Sequence, residues 1–232
     1  LGGLIFLILL FVGVFADFIA YEGENVIHPI DRLQAASAKY WFGTDQIGRD
    51  LFSRMVFGAQ LSVIVAFSAT TLSIIVSIVI GLSTGYIGGK FDLVVQRFVD
   101  AWMSFPDLII LIVAVSVLGP GVWQVVLVLG LLFGIAGSRI IRGAVLSVKE
   151  NVYVQAGQSI GTPPHMVVFK HILPNVMAPI IVLCTTRLAA VILAESGLSF
   201  LGLGIPPPAP SWGGMLSLDG RTYMFQAPWL AI

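Results

Sequence analysis

The chain has 232 residues, of which 57% are apolar and 10% are charged. Soluble proteins carry roughly 25% charged residues, so this composition indicates a protein whose main solvent is lipid. Lys and Arg total 12 and Asp and Glu total 12, which leaves no basic field for nucleic acid and no acidic surface for a basic ligand. The single cysteine, Cys184, cannot form an intrachain disulfide.

Long apolar runs predict an all-α, polytopic membrane bundle. A helix needs about 20 apolar residues to cross a hydrocarbon core of about 30 Å. We expect spans at residues 1–20, 61–85, 101–118, 122–141 and 176–197. Part of a sixth begins near residue 227, and we expect it to be truncated because the sequence stops inside this run. The first run lacks the basic flank of a signal peptide, so we interpret it as a span.

The polar stretch at residues 21–60 contains the first candidate site. Its second half has a helical pattern, and we expect this amphipathic segment to lie along the membrane surface. Asp45, Arg49 and Asp50 could form a gate or a docking contact. Acids and a base in a polar loop more often form a solvated, locally paired surface, so we favour structural roles. Trp212 follows a proline-rich loop whose stiffness suits docking or an ordinary re-entrant loop.

Two pairs of glycines recur at helical spacing in the predicted spans. They are Gly81 with Gly85 and Gly130 with Gly134. Small residues at this spacing let neighbouring membrane helices approach closely. We favour packing within the chain over a subunit interface.

Charged side chains in the fifth predicted span are candidates for the translocation path. Arg187 and Glu195 are eight residues apart, which places them on roughly one helical face but about 12 Å apart, too far for direct pairing. Charged groups within spans are costly and face the protein interior or water. Contact with cargo and structural pairing with other helices are both open, and pairing is favoured.

The longest polar excursion after residue 60 covers residues 139–175 and predicts two helices joined at a sharp bend. Gly161 suits the left-handed residue that ends the first helix. Thr162 can cap the next helix and Pro163 fits its first turn. Pro174 predicts a second stop before the fifth span. We expect a short helix with rigid elbows, a shape suited to receiving a push from a partner.

This excursion resembles the coupling signature of permease subunits from binding-protein-dependent ABC importers. That signature is a Glu-Ala-Ala triplet, three residues, a Gly, nine residues, and Ile-x-Leu-Pro. The spacing matches throughout, and the identities differ at Gln155, Gly157 and His171. The ending HILPN resembles the dipeptide, oligopeptide and nickel branch. The resemblance assigns ATPase coupling to Val154, Gln155, Ala156, Gly157, Gly161, His171, Leu173 and Pro174.

Further blocks of the same branch follow in the same order along the chain. They are FGTDQIGRDLFSRMVFGAQLS at residues 42–62, a Gly-Gly-x-x-Asp run at residues 88–92, and AESGLSFLGLGIPPPAPSWG at residues 194–213. The resemblance implies a first span at 1–20, an extracytoplasmic segment at 21–60, and a permease core at 61–232 with a cytoplasmic coupling loop at 139–175. Asp45, Arg49, Asp50 and Trp212 would then face outward.

The same resemblance implies the partners and the location. They are a second, similar permease subunit, two ATP-binding subunits docking on residues 154–161, an extracytoplasmic substrate-binding protein, and the cytoplasmic membrane of a bacterium or archaeon. ATP and Mg²⁺ would be bound by the partner subunits, so this chain would need no cofactor and would not be an enzyme. The cargo would be peptides or nickel chelates, with peptides favoured.

Other functions fit the sequence less well. His28, His165 and His171 show no metal-ligand spacing, so we expect no metal site. The Gly89–Lys90 pair lacks the flanking residues of a phosphate-binding loop. A membrane-embedded hydrolase would need paired catalytic groups that are not apparent. A stand-alone secondary transporter remains the alternative, but it would not explain residues 139–175. Lys and Arg are spread almost evenly between the two sets of loops, so charge does not decide the orientation.

Overall fold

The computed structural model describes residues 2–223 and 225–231, and its regular elements are helices. Among these residues the β pairing reduces to an isolated bridge between Thr44 and Asp50. The expected all-α class is therefore confirmed.

The chain begins with two short helices, α1 at Gly2–Val14 and α2 at Ala16–Ile19. Their sequence is apolar, but the helix breaks at Phe15, so α1 has only 13 residues. The single helix predicted for residues 1–20 is thus two shorter pieces. A 3₁₀ turn, Pro29–Asp31, lies in the polar segment that follows.

Helix α3 runs without a break from Leu51 to Ile87, over 37 residues. Asp50 precedes it and accepts a hydrogen bond from the Ser53 backbone N–H, at 2.6 Å, as an N-cap residue does. The helical pattern in the second half of residues 21–60 was recognised correctly. The boundary expected at residue 60 falls inside α3, which already begins at Leu51. The extracytoplasmic segment at residues 21–60 stays a prediction.

Helices α4, Gly89–Met103, and α5, Asp107–Leu118, form a bent pair with an angle of 88° between them. The predicted span at residues 101–118 is therefore interrupted. Pro106 lies at the break, where it has no N–H to continue a helix and disfavours helical backbone at the residue before it.

Helix α6 covers Val122–Lys149, and α7 covers Val152–Ser159. The chain then turns sharply at residues 160–163, which we call the elbow, and α8 follows at Pro164–Met166. A π-helical segment, Val167–Ile172, and a 3₁₀ turn, Leu173–Val176, connect α8 to α9 at Met177–Phe200. The stretch Pro164–Phe200 behaves as one helix of 37 residues. The stop predicted at Pro174 is therefore wrong, since the π and 3₁₀ turns absorb the missing N–H without ending the helix.

The C-terminal part contains shorter elements. Helix α10 is Trp212–Gly214, a π-helical segment covers Met215–Asp219, α11 is Gly220–Tyr223, and a 3₁₀ turn covers Pro228–Ala231. The truncated sixth span expected from residue 227 is a 3₁₀ turn as far as Ala231, and Ile232 lies outside the described residues.

Within residues 2–223 and 225–231, three helices are long and apolar enough to cross a membrane, or four if the bent pair is one span. They are Leu51–Ile87, Val122–Lys149 and Pro164–Phe200. The polytopic prediction is thus confirmed, while the count of about six exceeds what these helices provide.

The chain divides into two compact units. The first combines Leu1–Phe67, Ala114–Val125 and Val191–Ile232, and the second combines Ser68–Val113 and Val126–Ala190. The core of the second unit joins side chains of α3, α6, α7 and the π-to-α9 region: Leu82, Ile141, Val145, Val154, Val167, Ile172, Val176, Ile180 and Leu183.

Candidate functional site

Helix α7 presents one face to the core and the rest to its surroundings. Val154 is fully buried and Gly157 is buried one turn later, while Gln155 and Ala156 are exposed. Val154 packs with Val167, Ile172 and Val176 of the segment that follows the elbow. The residues predicted to couple to an ATPase therefore begin on a short helix anchored along one side, which starts at Val152, two residues before the expected 154–161.

A Schellman motif ends α7 at Gly161. The Gly161 N–H donates to the Gln158 carbonyl at 3.0 Å, and the Thr162 N–H donates to the Gly157 carbonyl at 3.1 Å. Gly161 has φ of +81°, the left-handed conformation that the sequence predicted. An L-residue with a side chain is strained in this conformation, so the backbone at position 161 favours glycine.

The helix after the elbow starts one residue later than predicted. Pro163 is extended at the N-cap, and Pro164 occupies the first turn. The cap predicted at Thr162 is wrong, and no side-chain hydrogen bond caps this helix. Two consecutive prolines fix the chain direction instead, because each restricts its own φ and Pro164 also restricts the residue before it.

The structure gives a physical reason for one departure from the coupling signature, Gln155, and none for a second, Gly157. The Gln155 side-chain amide donates to the Glu150 carbonyl at 3.1 Å, just beyond the end of α6. An ionised glutamate has no proton to donate, so this contact is specific to glutamine. At Gly157, an added Cβ would lie 3.7 Å from Nε2 of His171, an ordinary contact. Space therefore does not require glycine at 157.

The outer surface of this segment carries apolar side chains that the sequence analysis did not single out. Val152 is 80% exposed, Ile160 is 83% exposed, and Phe169 is 66% exposed. Tyr153 and Met166 are also exposed. We refer to these five side chains as the apolar docking surface. The sequence did contain a sign of this exposed apolar surface, because these apolar residues fall in a polar excursion and outside the inward face formed by Val154 and Gly157.

Leu173 and Pro174 close the signature on the helix leading into α9. Leu173 is half-buried beside the core of the second unit, whereas Pro174 is exposed. His171 is half-buried, and its backbone carbonyl accepts a hydrogen bond from the Asn175 side chain at 2.7 Å. The signature residues thus lie on both sides of the elbow.

The charged residues near the start of α3 are paired, as expected, but they are buried rather than solvated. Asp45, Arg49 and Asp50 are each less than 10% exposed. The Asp45 carboxylate accepts the backbone N–H groups of Ile47 and Arg49 and pairs with Arg49 Nε at 2.5 Å. Charged hydrogen bonds of this kind fix a loop, and burial makes each partner costly to remove.

Asp50 links the first polar segment to α3. Besides capping the helix, its carboxylate accepts a hydrogen bond from the Tyr21 hydroxyl at 2.7 Å. Burial and this neighbouring carboxylate raise the pKa of the Tyr21 phenol well above its ordinary value. The hydroxyl therefore remains a donor to Asp50 across the physiological pH range.

Trp212 borders an apolar cavity of about 460 Å³ within the first unit. Its indole Nε1 donates to the Met55 carbonyl at 3.1 Å, and its ring lies against Gly58. The remaining lining residues come from the polar segment, the start of α3 and the C-terminal part: Ala36, Trp41, Phe42, Leu51, Met55, Met215, Leu216, Trp229 and Leu230.

Arg187 and Glu195 both lie on α9, and each has a different environment. The Arg187 guanidinium is centred 5.0 Å from the ring of Phe133 on α6. Glu195 is 1% exposed, and its Oε1 accepts a hydrogen bond from the Ser199 hydroxyl at 2.7 Å. Its Oε2 has no hydrogen-bond partner among the described residues. Across the same residues, no cluster of three or more His, Cys, Asp or Glu could hold a metal ion.

Comparison with known proteins identifies the family. The chain matches the family described as "Binding-protein-dependent transport system inner membrane component" over residues 77–232. It is 37% identical over 221 residues to the dipeptide transport system permease protein DppC of Alkalihalophilus pseudofirmus, covering 95% of this chain and 72% of that protein.

Two further relatives are named for other substrates. A putative peptide permease protein of Brucella suis is 41% identical over 196 residues, covering 84% of this chain and 65% of the relative. The glutathione transport system permease protein GsiD of Escherichia coli is 35% identical over 232 residues, covering 100% and 76%. The chain spans about two thirds to three quarters of the length of these relatives. It belongs to the family of inner membrane components of binding-protein-dependent transport systems, which are transport proteins rather than enzymes.

Proposed function

We propose that this chain is a permease subunit that imports short peptides across the cytoplasmic membrane of a bacterium or archaeon. A second, similar permease would complete the path, two ATP-binding subunits would supply the energy, and an extracytoplasmic binding protein would deliver the cargo. A stand-alone secondary transporter is the less favoured alternative. The family and the relatives support an ATP-driven permease, since their descriptions name components of multi-subunit transport systems.

The apolar docking surface is the observation that carries the coupling role. Helix α7 is anchored by Val154 and Gly157, and the Schellman motif at Gly161 gives it a rigid end. A short, anchored helix with Val152 and Ile160 more than three quarters exposed suits insertion into a groove on a soluble partner. Such side chains are otherwise unfavourable in contact with water.

Short peptides are the proposed cargo because the relatives are named for them. Their names give dipeptides, peptides and glutathione, which is itself a short peptide. Nickel chelates remain the second cargo class that the branch resemblance raises. Arg187 and Glu195 are candidates for the path because charged side chains on a membrane helix contact cargo or other helices. Contact with other parts of the protein is favoured, since Glu195 is 1% exposed and binds Ser199, and Arg187 lies over the Phe133 ring.

On the extracytoplasmic side, we propose that the surface around Trp212 contacts the binding protein. Asp45 and Arg49 are buried and paired, and the buried Asp50 binds Tyr21 and the Ser53 N–H, so we assign all three to holding the polar segment against the start of α3. The Trp212 cavity would accept an apolar side chain of the binding protein, and Asp45, Arg49 and Asp50 do not line it.

The test is capture of the ATP-binding subunits from membranes by the full-length protein. Ile160→Asp puts a charge into the apolar docking surface, and we expect capture to fall at least about tenfold because a charge would be desolvated in the groove. Ile30→Asp is the matched control, since Ile30 is 94% exposed in the polar segment. Equal capture by both variants would contradict the docking assignment. ATP-independent uptake with no ATPase present would favour the secondary transporter.

A further inference from the structure

Helix α6 carries a row of cations that contact the ends of two other helices in the same unit. Arg142 binds Asp92 of α4 through two parallel contacts, Nε to Oδ1 and Nη2 to Oδ2, both at 2.6 Å. Arg139, one turn earlier, pairs with Asp100 near the other end of α4. Lys149, at the end of α6, donates to the Tyr86 carbonyl in the last turn of α3 at 2.6 Å. We call these three contacts the α6 clamp.

The Asp92–Arg142 pair is the strongest contact of the clamp. A bidentate Arg–carboxylate pair fixes orientation as well as distance, because the planar guanidinium matches the carboxylate. The side chains of Asp92 and Arg142 are 14% and 29% exposed. The neighbouring Arg97–Asp100 pair on α4 is much more exposed, with Arg97 at 74%, so solvent screens it more.

The position of Asp92 depends on the tight turn between α3 and α4. Gly88 and Gly89 have φ of +70° and +58°, conformations that favour glycine, and Asp92 lies in the first turn of α4. The Gly-Gly-x-x-Asp run that the sequence analysis singled out therefore has a structural meaning. It turns the chain and delivers a carboxylate to Arg142.

The clamp lies between α7, which we call the docking helix, and the bend of the α4–α5 pair. Helix α6 ends at Lys149, and α7 begins at Val152, so only two residues separate the last clamp residue from the docking helix. At its other end, α4 stops at Met103 and the chain bends by 88° into α5. A displacement of α6 would move α4 as a rigid body, because Asp92 and Asp100, eight residues apart on α4, are both paired with arginines of α6.

We infer that the Asp92–Arg142 pair, supported by Asp100–Arg139, is a positioning element that passes movement of the docking helix to the bent pair α4–α5. The inference rests on the proposed function, since it presupposes that an ATPase moves α7. Neither residue is expected to touch ATP or cargo. Rigid helices joined by charge pairs are the kind of element through which coupling between distant sites travels.

The experiment uses the complete transporter in lipid nanodiscs. ATP hydrolysis is measured with and without the binding protein, which is loaded from a peptone digest supplemented with glutathione. The variants are Asp92→Asn, Arg142→Gln and the double variant, with Arg97→Gln as the matched control on α4. Capture of ATP-binding subunits and the basal ATPase rate are recorded for each.

We expect each single variant to retain ATPase capture and basal hydrolysis but to lose at least about fivefold of the stimulation by the loaded binding protein. The double variant should lose no more stimulation than either single variant, because the two residues act through one shared contact. Arg97→Gln should keep the wild-type stimulation.

Two results would overturn the inference. One is wild-type stimulation in Asp92→Asn or Arg142→Gln. The other is a loss of stimulation that only follows a loss of assembled complex, which is what a purely structural role would produce. If the wild-type protein itself captures no ATPase, the proposed function fails and the inference fails with it. A functional wild type with unaffected variants removes the inference alone.

Discussion

Two glycines of the proposed coupling segment differ in whether the structure requires glycine. Gly161 is in the left-handed region, and an added Cβ would meet nothing within 4 Å, so the restriction is conformational. Gly157 is helical, buried and close to His171, yet an alanine would make only ordinary contacts. A motif match treats both glycines alike, whereas the backbone angles separate them.

At Gly161 we expect Gly161→Val to reduce ATP-driven uptake strongly while leaving membrane insertion intact. A β-branched residue in the left-handed region is strained by more than about 1 kcal/mol, which would open the Schellman motif and displace the docking helix. Gly161→Asn is the matched control, because Asn tolerates this conformation. Uptake is measured in vesicles with equal amounts of inserted protein. Equal uptake by the two variants would contradict a conformational role for Gly161.

Between elements, glycines bring α3 and α6 together. Gly81 and Gly85 of α3 lie against Ile141 and Val145 of α6, and Gly130 and Gly134 of α6 lie against Leu72 and Val76 of α3. The expectation of packing within the chain is confirmed. The spacing of the glycines was readable from the sequence, but their partner helix was not, because spacing marks a face without naming what covers it.

We expect Gly81→Ala to lower the free energy of unfolding of the purified protein by about 1–3 kcal/mol, the usual cost of overpacking. An added Cβ would lie 2.6 Å from Ile141 Cβ and 2.8 Å from the Ser138 carbonyl oxygen, which has no freedom to move away. Gly143→Ala on α6 is the control, because nothing lies within 4 Å of its added Cβ. It should stabilise the helix by up to about 1 kcal/mol. Thermal melts in detergent compare the two, and a harmless Gly81→Ala would contradict the close approach.

The bent pair α4–α5 could not be predicted from the apolar runs alone. Residues 101–118 are apolar enough to be read as one span, but Pro106 divides them and α4 extends back to Gly89. The charged residues of α4, including Asp92 and Asp100, interrupted the apolar run and hid this helix from a search for long apolar stretches. Pairing with α6 explains why the charges are there.

For the whole molecule, composition and motif spacing were sufficient to predict the class and the family. Apolar runs predicted the helical membrane fold, and Gly161 predicted the left-handed bend that ends α7. Contacts between distant residues could not be predicted, such as Asp92 with Arg142, fifty residues apart. The burial of Asp45, Arg49 and Asp50 was missed for the same reason, since a charged loop looks solvated until its partners are known.

The orientation, which the distribution of Lys and Arg left open, can be tested by labelling. In a Cys184→Ala background, Ile30→Cys should react with a membrane-impermeant maleimide added to intact cells. Ile160→Cys should react only after the membrane is permeabilised. Both side chains are more than four fifths exposed, so burial within the chain does not limit the reaction, and the cells used lack the ATP-binding subunits that would cover residue 160. The reverse pattern would contradict the assignment of residues 21–60 to the outside.

The unbroken length of α3 bears on the bilayer around the protein. Its 37 residues span roughly 55 Å at 1.5 Å per residue, well beyond a hydrocarbon core of about 30 Å. A helix with this excess accommodates thinner or thicker membranes by tilting or by shifting along its own axis, and hydrophobic mismatch costs only fractions of a kcal/mol per Å.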